Sequence, residues 1–162
     1  MPLSLQDICH LEAAEGWLER GDYCNCFDEL ERIHNCDDAR VDTLRWRLYN
    51  GSRQHVIAAN LALAIQRRYP NQFAGYLWRS LSLKKLGCCQ EAYENLKPVA
   101  FEFSETGLVP FFLAVFACEL GNVREAEEWL AIALEAPDGR ELNMRALEEQ
   151  ALEPLWPRIE QR

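Results

Sequence analysis

The phrase Leu86-Gly87-x-x-x-Glu91-Ala92 returns 34 residues later as Leu120-Gly121-x-x-x-Glu125-Ala126. A fixed period near 34 is the mark of stacked helix–turn–helix units, each too small to bury its own apolar face and therefore dependent on its neighbours. The glycine ends one helix, the Glu-Ala pair sits in the next, and the alanine lets the two helices approach closely. The same frame runs backwards through the chain. Cys26, Ala58, Ala92 and Ala126 occupy the small-residue position, and Gly21, Gly87 and Gly121 occupy the turns, with Arg53 in that place in the second unit.

The framed residues carry a resemblance. Trp17, Gly21, Tyr23, Leu30 and Ile33 in the first unit, Tyr49, Ala58 and Pro70 in the second, Leu86, Gly87, Ala92 and Leu96 in the third, and Ala114, Gly121, Ala126 and Leu130 in the fourth resemble the tetratricopeptide repeat pattern. The resemblance spans about residues 7–136. Units three and four match well. Unit two lacks the turn glycine, and unit one has Cys26 where the family prefers alanine. The tail Ala146-Leu147-x-x-x-x-Leu152-Glu153-Pro154-Leu155-Trp156 is similar to the closing segment of short bacterial proteins of this type, as is Ala117-Cys118-Glu119-Leu120-Gly121. The resemblance implies an all-α fold: a right-handed α-α superhelix of about four helix pairs and a C-terminal capping helix. The expected division is one domain over 1–162, with repeats at about 7–36, 38–70, 72–104 and 107–138 and a cap and tail at 140–162. It also implies a protein-binding role.

Local signals place the helices at about 7–19, 22–34, 38–50, 53–68, 72–86, 89–103, 107–120, 123–135 and 140–149. Asp22 and Asn122 follow turn glycines and suit helix N-caps. Asp37-Asp38 opens the second unit, and Pro70-Asn71 separates it from the third. Pro98 removes a backbone donor inside the sixth helix, which must kink or end early. Asp138-Gly139 breaks the chain before the last helix, and Pro157 is expected to break it again after Trp156.

Charge and cysteine usage narrow the function. The net charge of −9 opposes nonspecific nucleic-acid binding. Residues 1–39 hold ten acids and two bases, whereas residues 40–97 hold ten bases and three acids. That basic middle reads either as solvated helix faces or as a surface for an acidic partner. No run of 18 apolar residues suggests a membrane span. The N-terminus has no basic start and no apolar core of signal length, so the expected location is cytoplasmic. The seven cysteines are then expected as free thiols.

Chemistry finds little support. Cys24, Cys26, His34 and Cys36 are soft ligands at a spacing wrong for the common zinc fingers, so no metal is expected. Cys88-Cys89 sits in a turn and offers at most a redox handle. No Gly-rich phosphate loop and no nucleophile–base arrangement appears, so neither cofactor nor catalysis is expected.

In the resembled architecture the first helix of each pair lines the inner face. Leu11, Thr43, Leu77 and Phe111 are equivalent there, followed one turn on by Glu15, Arg47, Leu81 and Val115, then by Leu18, Asn50, Lys84 and Cys118. The candidate partner-binding residues are therefore Arg40, Thr43, Arg47, Asn50, Leu77, Leu81, Lys84, Phe111 and Val115. An extended peptide or amphipathic helix would lay its apolar side on the Leu and Phe positions and an acidic group near the cations. Leu and Phe at this spacing fit a core equally well, and a ninth helix folding back would cover them. One known mode is disfavoured. Tetratricopeptide domains that clamp a C-terminal carboxylate need a cationic cage. The matching places hold Thr43, Arg47, Trp78, Leu108 and Phe112, or one unit earlier Leu11, Glu15, Leu44, Ala74 and Trp78. The reading is a non-catalytic adaptor that binds a protein or peptide with acidic and apolar character. The alternatives are a chaperone for a secreted or assembling substrate and a self-associating structural subunit.

Overall fold

Each of the four repeat turns closes in the same way. Gly21, Gly87 and Gly121 have φ of 74°, 79° and 81°, and Arg53, in the glycine place of the second unit, has φ 62°. The amide after each of them reaches back across the helix end: Asp22 N–H to Trp17 O, Gln54 N–H to Tyr49 O, Cys88 N–H to Leu83 O and Asn122 N–H to Ala117 O, at 2.8–3.0 Å. This is the six-to-one bond of a left-handed helix stop. The next helix starts at once, because the carbonyls of Asp22, Gln54, Cys88 and Asn122 accept from Cys26, Ala58, Ala92 and Ala126. Arg53 adopts a left-handed conformation that costs an L-residue about 1–2 kcal/mol, so the fold, not the local preference, fixes that turn.

The computed structural model describes residues 3–34, 37–103 and 106–159, apart from the side chain of Arg158. It is all-α, a tetratricopeptide-like superhelix. Four pairs come first: α1 (Leu5–Glu19) with α2 (Tyr23–Glu31), α3 (Ala39–Gly51) with α4 (His55–Arg68), α5 (Phe73–Lys85) with α6 (Cys89–Leu96), and α7 (Leu108–Glu119) with α8 (Val123–Glu135). Then follow α9 (Gly139–Glu148), a 3-10 turn at Gln150–Leu155 and a short α10 (Trp156–Ile159).

Three local expectations are corrected. The sixth helix ends at Leu96 rather than near 103, since Pro98 turns the chain into a 3-10 segment, Lys97–Val99. Asn122 stands at the N-cap of α8 without a side-chain hydrogen bond, unlike Asp22, whose carboxylate accepts from Asn25 N–H at 3.1 Å. Pro157 does not break the chain after Trp156. It lies in the first turn of α10, where a missing N–H leaves no bond unmade.

The small-residue places work as crossings. Cys26, Ala58, Ala92 and Ala126 are all fully buried. Their counterparts on the first helices are Ala14, Trp46, Ser80 and Ala114. Trp46 is thus the exception. Its ring cannot fit a close crossing, so it turns to stack on Trp78, centroids 5.2 Å apart and 11° from parallel, and its indole N–H donates to Ser82 Oγ at 3.0 Å. Ser80 keeps its place by donating to Ala92 O at 2.8 Å.

Around that tryptophan the interior divides. One core gathers Leu3, just ahead of α1, with Leu11, Leu30, Val41, Leu44 and Leu48 from α1–α3. A second and larger core runs from Leu77 on α5 to Ile159 on α10. Between them lies a small cluster of Trp46, Ala58 and Ala62. The second and third pairs meet closely at Gly75, where a Cβ would stand 2.6 Å from Gln66 N. At the start of the chain Asp7 closes a capping box with Ser4 and accepts from His34 N–H at 2.9 Å. The His34 bond first, then those from Ser4, hold the Asp7 carboxyl at about 2.

Candidate functional site

The inner stripe is open at one end and filled at the other. At the open end, α1 and α3 lie side by side and leave a cavity of about 190 Å3, lined by Leu11, Glu15, Arg40, Thr43, Leu44 and Arg47. Leu11 and Leu44 are buried at 8% and 3% exposure, so they belong to the floor. The polar groups form the rim. Arg47 Nη1 lies 3.1 Å from Glu15 Oε1 across the cleft, with both side chains about half exposed. Arg40 forks onto Asp38, Nε to Oδ1 at 3.0 Å and Nη2 to Oδ2 at 2.9 Å. That fork, partly offset by burial, holds the Asp38 carboxyl below the usual range, and the same carboxylate caps α3 through Arg40 N–H. Thr43 Oγ donates to Ala39 O at 2.6 Å. Asn50, a turn beyond Arg47, is half-buried, and its amide oxygen has no hydrogen-bond partner among the described residues.

At the other end, three of the nine candidate residues are core. Leu77 is 6% exposed, and Phe111 and Val115 have no exposed surface. The cause is the C-terminal segment. Leu142, Ala146, Leu152, Leu155 and Ile159 join the same core, and the Arg145 guanidinium lies over the Phe111 and Phe112 rings at 5.4 and 5.0 Å. Residues Val109–Ala117 of α7 are buried without a break. Leu81 is partly buried between this core and Trp78. Lys84 is no free groove cation: its Nζ lies 2.9 Å from Glu119 and 3.9 Å from Glu149, and so ties α5 to α7 and to the end of α9. Of the nine, Arg40, Thr43 and Arg47 share one cavity.

Sequence reasoning overlooked Asp38 as the partner of Arg40, and Arg145 as the cover of Phe111. A signal existed for Trp46, which stands out once Ala14, Ser80 and Ala114 are aligned with it.

The thiols are quiet. Cys24 is exposed while Cys26 is buried, so the two face opposite ways. Cys36, part of the discounted soft-ligand set, lies outside the described residues. Among the described residues no group of three potential ligands gathers. Burial pushes the Cys26 thiol up to about 11. Cys89 is pushed up to about 12, by burial first and then by its bond to Glu119, so a thiolate is disfavoured there. No helix among the described residues is long and apolar enough to cross a membrane.

No protein-family model and no curated protein sequence matches the chain. Solved structures do. MamA MSR-1 aligns over 98% of this chain and 97% of its own with a TM-score of 0.63 at 16% identity. MamA AMB-1 aligns over 83% of this chain and 93% of its own with a TM-score of 0.53, also at 16% identity. At that identity the likeness establishes the fold.

Proposed function

We propose that the chain is a non-catalytic protein-interaction adaptor of the cytoplasm, and that it holds a partner segment in the cleft between α1 and α3. The observation that carries this reading is the cavity bounded by Arg40, Thr43 and Arg47 over a floor of Leu11 and Leu44. Arg47 is paired through an exposed contact, which contributes about 0–1 kcal/mol, while Arg40 is held in its fork on Asp38. A partner carboxylate can replace Glu15 at Arg47 with little loss, and an apolar side chain beside it would cover the leucines. The segment best suited is short, acidic and apolar by turns. The Leu77–Phe111–Val115 end does not take part, because the chain's own C-terminal segment occupies it.

The test begins with a partner recovered by affinity capture from the source organism. Titration calorimetry at two salt concentrations then compares wild type with Arg47→Ala, Arg40→Ala and the exposed control Arg67→Ala. Binding should weaken for the first two by several-fold, more at low salt, because a rim cation acts through a screened field. Arg68 is unsuitable as a control, since it pairs with buried Asp42 at 3.1 Å. Unchanged affinity in both Arg40→Ala and Arg47→Ala would exclude this cleft. Selective binding of unfolded substrates alone would favour the chaperone reading.

A further inference from the structure

A larger hollow lies outside the inner groove. Between α2, the end of α3 and the turn into α4 is a cavity of about 380 Å3, whose walls include the rings of Tyr23, Phe27 and Tyr49 and the polar side chains of Asp28, Ser52 and Gln54. Its aromatic wall is braced by the backbone. A Cβ at Gly51 would stand 2.9 Å from the Tyr23 ring, so that ring is seated directly on α3. Phe27 stays 42% exposed, a cost for a large apolar ring that a bound ligand would relieve.

The charges around these rings are one-sided. Elsewhere the chain covers aromatic faces with its own cations: Arg20 over Trp17, Arg68 over Tyr69 and Lys97 over Tyr93, at 5.0–5.9 Å. Among the described residues, no cation of the chain lies over Tyr23, Phe27 or Tyr49, and Asp28 has no ion pair. The neighbouring carboxylates are committed, Asp22 to Asn25 and Glu29 to His10 and Arg32. Tyr23, Cys24, Phe27 and Asp28 of the lining come from residues 1–39, where ten acids face two bases, and Leu48, Tyr49, Ser52 and Gln54 come from the basic stretch; among these eight, Asp28 is the one charged side chain.

We propose that this cavity is a second binding site, and that it receives an arginine side chain presented by a protein partner. Aromatic faces attract a flat, weakly hydrated cation. The guanidinium fork matches a carboxylate in two bonds, which a lysine ammonium cannot do. Asp28 supplies the carboxylate, and the three rings supply the stacking surface. Gln54 donates its amide N–H to Ser52 Oγ at 3.1 Å, which leaves its amide oxygen to accept a further guanidinium N–H. The site is independent of the cleft between α1 and α3, and either can fail without the other.

The probe is the blocked tripeptide acetyl-Gly-Arg-Gly-amide, titrated at low salt into labelled full-length protein and followed by amide and aromatic NMR shifts. Saturable millimolar shifts are expected, centred on Tyr23, Phe27, Tyr49, Ser52 and Gln54. The peptide with neutral citrulline in place of arginine should bind at least about tenfold more weakly, because it keeps the shape and loses the charge. Phe27→Ala and Asp28→Asn should each weaken arginine binding about fivefold. Asp28 is exposed, so the melting temperature of Asp28→Asn should not move; Phe27→Ala removes a ring that is more than half buried and is titrated well below its melting temperature. Equal binding of the citrulline peptide, wild-type affinity in both variants, or shifts scattered over the acidic surface without saturation would each overturn the proposal. A lysine peptide that binds as tightly as the arginine peptide would overturn the assignment of arginine.

Discussion

The same repeat position is solved in opposite ways at the two ends of the molecule. Thr43 and Phe111 stand at equivalent places on α3 and α7, yet Thr43 lines an open cleft and Phe111 has no exposed surface. The difference comes from the flanks. α7 packs on α8 and on the 3-10 segment and shares its core with Leu142 and Ala146 of α9, whereas α3 is flanked by α1 and, through Trp46, by α5, and keeps Thr43 on the wall of the cleft. An inner stripe of a helical repeat is therefore core or groove according to what the chain sends across it, and the repeat itself is neutral between the two.

The largest test of that contrast is a matched pair of truncations. Phe111→Ala should destabilise by about 3–5 kcal/mol, the range for a large core aromatic. Thr43→Ala should stay within about 0.5 kcal/mol, as a surface change does. Urea unfolding of both variants decides it. Comparable losses would mean that the inner face is equally packed at both ends.

The joint between the two halves gives the next effect. Gly75→Ala places a methyl 2.6 Å from the α4 backbone at Gln66, and backbone cannot rotate away as a side chain can. About 1–3 kcal/mol should be lost, as in other overpacked interiors. The readout is again the urea midpoint. A neutral result would show that the α4–α5 contact has slack, and that the halves are less tightly joined than the cores on either side suggest.

The residues differ in how much of this they disclosed. The four turns were legible because Gly21, Gly87 and Gly121 must take a left-handed φ, and a period of 34 is hard to reach otherwise. Arg53 was legible only by alignment, since nothing about arginine predicts φ 62°. The early end of α6 was written in Pro98. The fate of the inner stripe was not, because burial of Phe111 depends on Arg145 and Leu152, more than thirty residues on, and helical spacing is the same for a groove wall and a core. The pairing of Arg47 with Glu15, 32 residues apart, was implicit in their equivalent positions. That Arg40 turns to its near neighbour Asp38 was not, because a local cap competes with the groove for the same side chain.

The smallest expected effect sharpens the comparison at the turns. Three turns have glycine and one has Arg53, and all four make the same hydrogen bonds. Left-handed φ costs an L-residue about 1–2 kcal/mol. Arg53→Gly should remove that cost and give back part of it through the greater freedom of the unfolded chain, about 0.4–1 kcal/mol. The net expectation is a stabilisation of about 0.5–1 kcal/mol, or a rise of a few degrees in melting temperature. The reciprocal change, Gly121→Ala, should cost about 1 kcal/mol, since the added methyl meets no atom within 4 Å and only the backbone is strained. If Arg53→Gly instead destabilises, the arginine side chain contributes more than its backbone strain. The second unit would then depend on a contact of Arg53 that the three glycine turns do without.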